Sequence, residues 1–142
     1  MVNGNIIAFD FGTKRIGVAV GQSLTKTATP LEPISAEQGV PNWQTITTLV
    51  QCWQPQAFVV GLPVHMDGSE QLITQRTRSF IEALHKKTSL SVYEMDERLT
   101  SVEARSQLFA QGGYAFLKKN SVDSFAAKLI LEQWFVTLKI AE

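Results

Sequence analysis

Three carboxylates occupy positions where an acid has something to explain. Asp10 lies within the apolar run Ile-Ala-Phe-Asp-Phe-Gly, where an ionised side chain carries a large desolvation cost unless a cation or hydrogen bonds offset it. Bonds to backbone amides of the Gly12-Thr13 turn would be one compensation; a metal ion would be another. Glu97 sits in Asp96-Glu97-Arg98 just after an apolar strand pattern, at a strand end, where open α/β sheets place their chemistry. A solvated acid near the start of the following helix would also be favoured there. Asp123 falls in the first turn of the last helix, two residues after the expected cap Ser121, where any Asp gains from the helix dipole. As a set, the three can be attached to one edge of one sheet and form an all-oxygen site. Such a site suits Mg²⁺ or Mn²⁺, which prefer oxygen ligands and keep waters that can become nucleophiles. The matching chemistry is phosphodiester hydrolysis, in which one ion activates water and a second stabilises the leaving oxygen.

Other chemistries fit less well. His65 and His85 are twenty residues apart in sequence with no partner pattern, and His85 beside Lys86-Lys87 reads as a solvent-facing helix residue, so zinc is disfavoured. Cys52, the single cysteine, has no His or Asn placed to suggest a thiol nucleophile and is expected in the core beside Trp53. Ala126 and Ala127, three and four residues after Asp123, would leave room for ions and substrate or simply pack a helix.

These groups need a scaffold. Asn5 to Phe11 reads as a strand apolar on both faces, Gly12-Thr13-Lys14 as a turn, and Ile16 to Val20 as the returning strand of a hairpin. Thr29 to Ile34 is a third antiparallel strand, which Pro30 and Pro33 confine to an edge. Ile46, Leu49, Val50 and Trp53 recur at helical spacing over Trp43 to Trp53, and Pro55 stops them before the buried-type strand Ala57 to Val60. Leu72, Ile73, Arg76, Phe80, Ile81 and Leu84 trace a helix ending near Thr88, followed by the strand Ser91 to Met95. Thr100, with Glu103 three residues on, predicts a capping box for a helix that frays near Gly112-Gly113. The last helix starts at Ser121 and buries Val122, Phe125, Ala126, Leu129, Ile130 and Trp134. Successive β-α units imply parallel pairing. The expected architecture is therefore α/β, a mixed sheet of about five strands led by an antiparallel hairpin, with helices on both faces.

Composition agrees. The chain has 142 residues, 44% of them apolar and 18% charged, which suits one domain over residues 1–142 and excludes a disordered or membrane protein. Its longest apolar run near the N-terminus, Ile6 to Phe9, is far below the roughly 20 residues a bilayer requires. With a lone cysteine and a start, Met-Val-Asn-Gly, that lacks a targeting pattern, the expected compartment is the reducing cytoplasm. Thirteen basic residues balance thirteen acidic ones, so a polyanion would have to be held by a local basic patch.

Four segments, Asp10-Phe-Gly-Thr-Lys-Arg-Ile-Gly17, Gly61-Leu-Pro-Val-His-Met-Asp-Gly68, Asp96-Glu-Arg-Leu-Thr100 and Val122-Asp-Ser-Phe-Ala-Ala127, resemble in order and spacing the signatures of the YqgF/RuvX family. The resemblance covers nearly the whole chain. It implies a ribonuclease H-like fold and a nuclease that matures the 5′ end of 16S ribosomal RNA precursors, with a kinship to Holliday junction resolvases that makes junction DNA the alternative substrate. It also assigns catalytic and metal-binding roles to Asp10, Glu97 and Asp123, with Mg²⁺ or Mn²⁺ as cofactor and Asp96 as a supporting group. The sequence departs from the family pattern at Val64-His65, where Leu-Asn is more common, and at Lys119-Asn120; His65 could bond to substrate in place of Asn.

An acidic site needs cations to receive a phosphate backbone. Lys14 and Arg15 follow Asp10, Arg98 follows Glu97, and Lys118-Lys119 precede Asp123; Arg15 is the preferred phosphate contact. Tyr114 and Phe116, after Gly112-Gly113, would stack on unpaired bases or anchor a substrate loop. Two other functions are compatible with parts of the pattern. Asp-Phe-Gly-Thr-Lys resembles the first phosphate loop of actin-like ATPases, which need a second lobe that this length leaves no room for. A non-catalytic RNA-binding assembly factor would have no need of Asp10 in an apolar strand. The expected partners are structured RNA and pre-ribosomal particles, and no membrane.

Overall fold

The chain was analysed as a computed structural model, which describes residues 4–65, 67–96 and 122–141, without the side chains of 122 and 139–141. The first two strands, β1 (Asn5–Asp10) and β2 (Arg15–Gln22), form the expected hairpin, with Asp10 opposite Gly17. β3 (Thr27–Glu37) follows antiparallel to β2. It is longer than Thr29 to Ile34 and accommodates both prolines. Its register with β2 shifts between Ile16 and Val18, which leaves Glu32-Pro33 opposite Gly17, and a bulge is where a residue without an N–H is tolerated.

Among the described residues the sheet has six strands, against the expected five or so. The additional one, β4 (Val40–Pro41), pairs only with Ala36 and Glu37 of β3. Two residues are too few to show a strand period, so nothing in the sequence marks it.

Asn42 caps α1 (Trp43–Trp53) by accepting a hydrogen bond at Oδ1 from the Gln44 amide at 3.1 Å, and Gln54 ends it in a left-handed conformation just before Pro55. Of this helix only Ile46 is fully buried, with Leu49, Val50 and Trp53 packed beside it. Cys52 is exposed rather than in the core; its position falls off the stripe those four residues define.

β5 (Ala57–Leu62) pairs parallel to β1, and α2 (Leu72–Thr88) returns the chain to β6 (Ser91–Asp96), parallel to β5. The buried face of α2 differs from the apolar stripe read from the sequence. Leu72 is 68% exposed, while Thr74 and Thr77 are buried with Phe80 and Leu84. Both threonines satisfy their hydroxyls locally, Thr77 Oγ1 donating to the Ile73 carbonyl at 2.7 Å and Thr74 Oγ1 to that of Pro63, which is what allows a polar side chain there. The last described helix, α3 (Val122–Ala141), buries Phe125, Leu129, Ile130 and Trp134 as expected, together with Ser124, Ala127, Leu131 and Phe135; Ala126 is half-buried.

The strand order is β4-β3-β2-β1-β5-β6. Side-chain alternation divides the core into two. Ile7, Phe9, Phe11, Ile16, Val18, Val20, Phe58 and Val60 pack against α1 and α2, whereas Ile6, Ala8, Ala57, Val59 and Met95 pack against Ile130, Leu131, Trp134 and Phe135 of α3. The capping box expected at Thr100 and Glu103, the helix to Gly112-Gly113, and Tyr114 and Phe116 lie outside the described residues. Among the described residues, no helix is long and apolar enough to cross a membrane.

Candidate active site

The two-residue period of β1 sets the side on which Asp10 lies. Ile6 and Ala8 belong to the α3 core, so Asp10, two residues further, is on the α3 face at the end of the strand. There it is half-buried. Its neighbours at the same level on both adjacent strands are glycines, Gly17 on β2 and Gly61 on β5. The Asp10 carboxylate is therefore flanked by strands that carry no side chain beside it.

Gly17 also brings the second acid to this place. A Cβ at Gly17 would lie 2.0 Å from the carbonyl oxygen of Asp123, 2.1 Å from its carbonyl carbon and 2.7 Å from the Ser124 nitrogen. No side chain fits, so the first turn of α3 rests directly on the β2 backbone, and Asp123 stands beside the residue that pairs with Asp10. The contact is reinforced one residue on, where the buried Ser124 Oγ accepts a hydrogen bond from the Val18 amide at 3.2 Å. Asp123 is half-buried, and Arg15 Nε lies 3.7 Å from its Oδ2 with 71% of the Arg15 side chain exposed. An ion pair this open is worth well under about 1 kcal/mol, and it leaves the guanidinium accessible.

The turn carrying Lys14 and Arg15 is held from the other side. The Ala36 amide donates to the Lys14 carbonyl at 2.9 Å and the Gly39 amide to that of Thr13 at 3.0 Å. Gly12 is required within it, because a Cβ there would meet the Arg15 carbonyl oxygen at 2.3 Å. Lys14 is exposed. Thus β1, β2 and α3 bring together Asp10, Asp123 and Arg15, with Lys14 in the same turn.

His65 lies in the turn that follows β5 and is exposed. Its amide donates to the Ser69 carbonyl at 2.9 Å, and its carbonyl accepts from the Gly68 amide at 2.8 Å. Asp67 stiffens the turn by accepting from the Ser69 hydroxyl at 2.6 Å and the Ser69 amide at 2.9 Å. Those two bonds hold its carboxyl below the ordinary value of 3.8. Arg78 on α2 then ties the end of this loop to the sheet, with Nη2 3.1 Å from Glu70 Oε2 and Nη1 3.2 Å from Glu94 Oε1 on β6.

Glu97, Arg98, Lys118 and Lys119 lie outside the described residues. Glu97 is two positions beyond Met95, a residue of the α3 face. Among the described residues, no three His, Cys, Asp or Glu side chains gather as a metal cluster. The two acids that do converge offer only oxygen, the donor set of a hard divalent ion. Among the described residues neither histidine joins such a group. His65 is in its turn, and His85 Nδ1 is 2.7 Å from the Leu90 carbonyl at the far end of α2.

Sequence reasoning did not single out Ser124, or the separate roles of Gly17 and Gly61. The signal for Gly17 was available: a glycine inside a strand marks a close backbone approach. Arg78 had none, since its partners are scattered along the chain.

A hairpin-led sheet, continued by parallel strands and covered by helices on two faces, is a ribonuclease H-like architecture. Solved structures share it: RuvC of T. thermophilus in complex with a Holliday junction substrate has a TM-score of 0.57 at 13% identity, covering 96% of both chains. The fowlpox virus Holliday junction resolvase follows at 0.54 and 13%, over 95% of this chain and 99% of that one. The yeast mitochondrial Holliday junction resolvase gives 0.55 and 12%, over 98% and 82%. More specifically, this chain belongs to the family described as RuvX, Holliday junction resolvase, which it matches over residues 4–137. A protein of Haemophilus ducreyi described as a candidate pre-16S rRNA nuclease is 54% identical over 130 residues, 92% of this chain and 94% of that one. One of Pectobacterium carotovorum with the same description is 50% identical over 135 residues, 95% and 97%.

Proposed function

We propose that this protein is a divalent-metal-dependent nuclease that trims the 5′ end of 16S ribosomal RNA precursors in the cytoplasm, its residues 1–142 acting as one domain. The observation that carries the reading is the meeting of Asp10 and Asp123 across Gly17 on the α3 face. Both lie at the same end of the α3 face and offer only carboxylate oxygens, the donors that a hard divalent ion takes. The descriptions of the relatives from H. ducreyi and P. carotovorum support the RNA substrate.

In this reading Asp10, Glu97 and Asp123 hold Mg²⁺ or Mn²⁺. Glu97 belongs to the set through the match of Asp96-Glu-Arg-Leu-Thr100 to the family's motif. When bound, the metal supplies an activated water and charge stabilisation for in-line displacement at phosphorus. The side chains do the rest. Arg15 swings from Asp123 to the phosphate as substrate arrives, which its exposure permits. Lys14, Arg98, Lys118 and Lys119 neutralise flanking phosphates, and His65 donates to the substrate from the turn that Asp67 stiffens.

Junction DNA is the second substrate to consider, on the strength of the family description and of the RuvC structure bound to a Holliday junction. Product mapping at nucleotide resolution tests both, using 5′-extended 16S precursor RNA and a four-way DNA junction, each with Mn²⁺ or chelator. The expected result is metal-dependent trimming of the RNA near the mature 5′ end. Asp10→Asn should lower it on the order of 10³-fold while leaving the melting temperature at or above the wild-type value. Paired symmetric cuts in the junction would move the activity to DNA, and retained cleavage in Asp10→Asn would remove the site.

A further inference from the structure

We propose that Ser124 is a positioning residue for Asp123, a latch that fixes this carboxylate on the α3 face of the sheet. The inference rests on the metal-site reading above and adds to it a residue that touches neither metal nor substrate. Asp123 opens the last helix, and a helix end ordinarily frays, because its first amides have no partner within the helix. Here the first turn has two restraints from β2. The backbone of Asp123 sits on Gly17, where a Cβ would come within 2.0 Å, and the buried Ser124 Oγ accepts the Val18 amide at 3.2 Å. The latch engages where the β2–β3 register shifts, between Ile16 and Val18.

The two restraints have different characters. Gly17 sets how closely the helix approaches but does not fix it along the strand, since a flat backbone contact can slide. The Ser124 hydrogen bond is directional and picks out one register. It therefore fixes Asp123 in the plane of the sheet relative to Asp10, which is opposite Gly17. Groups that orient a ligand without touching the metal typically alter its affinity by 10–100-fold.

The test measures Mn²⁺ binding to the protein alone by electron paramagnetic resonance, beside chemical melts and cleavage of precursor RNA. Four proteins are compared: wild type, Ser124→Ala, Asp10→Asn, and Thr77→Val. The last removes an equally buried hydroxyl on the opposite side of the sheet, whose bond to the Ile73 carbonyl is 2.7 Å. Ser124→Ala is expected to weaken Mn²⁺ binding by about 10-fold and to raise the Mn²⁺ concentration for half-maximal cleavage by the same factor. At saturating Mn²⁺ its KM for RNA should match the wild type. Thr77→Val should lose stability and keep its Mn²⁺ affinity.

Wild-type Mn²⁺ affinity in Ser124→Ala would overturn the latch, as would an equal loss in Thr77→Val, which would mean that any loosening of the fold has this effect. If Asp10→Asn binds Mn²⁺ and cleaves normally, the metal site itself is wrong. If Asp10→Asn fails in both while Ser124→Ala behaves as wild type, only the latch falls. Should Ser124→Ala not fold, Ser124→Cys, of similar size and with a weaker acceptor, is judged by the same criteria.

Discussion

The two faces of the sheet are built from the same three central strands and follow opposite rules. Towards α1 and α2, β1, β2 and β5 present Ile7, Phe9, Phe11, Ile16, Val18, Val20, Phe58 and Val60, large residues that fill the layer together with Phe80. Phe80 alone has ring contacts with Phe9 at 5.5 Å, Phe11 at 5.3 Å and Trp43 at 5.9 Å. Towards α3, the same strands present Ile6, Ala8 and Asp10, then Gly17, Ala19 and Gly21, then Ala57, Val59 and Gly61, smaller residues except for Ile6 and Val59. On the first face helix distance is set by interdigitated side chains; on the second, at the Gly17 end that carries the acids, it is set by backbone against backbone. A layer of flexible side chains can repack by a few tenths of an ångström, whereas a helix resting on glycine cannot come closer and, once latched, does not slide. The acids stand on the face that offers this precision.

The sharpest way to break the comparison is to empty the large-residue face. Phe58→Ala removes a fully buried ring stacked on Phe9 at 5.7 Å and should lower stability by about 3–5 kcal/mol in urea melts. Cleavage per folded molecule should stay at the wild-type level; a fall beyond the folded fraction would mean that this face also sets the site. A smaller effect is expected from crowding the other face. In Gly17→Ala the new Cβ would lie 2.0 Å from the Asp123 carbonyl oxygen and 2.7 Å from the Ser124 nitrogen, costing about 1–3 kcal/mol. Here cleavage should drop further than stability because α3 must shift, and a near-wild-type melt and rate would show that its distance is not set by backbone contact.

The mildest perturbation belongs to neither face. Asp67 titrates below 3.8 because the Ser69 hydroxyl and amide favour its ionised form. With the folded value depressed, its contribution to the order of the turn is fully present above 3.8 and is lost as pH falls through the folded value. Carboxyl chemical shifts followed against pH should show this depression in the wild type and much less of it in Ser69→Ala. Both cores should be unmoved between pH 5 and 8.

Much of the division could be read in advance, for identifiable reasons. Asp10 stood out because charge inside an apolar strand is costly, and Asp123 because helix starts are marked by caps and acids. The structure brings these two together and places Arg15 beside Asp123. What escaped was information that does not reside in a local pattern. β4 is too short for a period. Cys52 is hydrophobic by type, but exposed by its angle around α1. Thr74 and Thr77 are polar by type, but buried because the helix and Pro63 satisfy their hydroxyls. Leu72 lies at the start of α2, beyond the reach of the core. Ser124 was hidden for a different reason: its partner, Val18, is a backbone amide distant in sequence, and a backbone group leaves no trace in residue types.

The chain order of these elements bears on how the protein comes into being. By Asp96 the described strands and helices of the face towards α1 and α2 are all in place, while Ile6, Ala8, Ala57, Val59 and Met95 still await α3. Because chains are made from the N-terminus and long-range contacts close late, an unfinished or partly folded molecule carries Asp10 without Asp123. The proposed pair of carboxylates is thus brought together only when α3 docks, and a nascent chain lacks one of the two until that helix has been made.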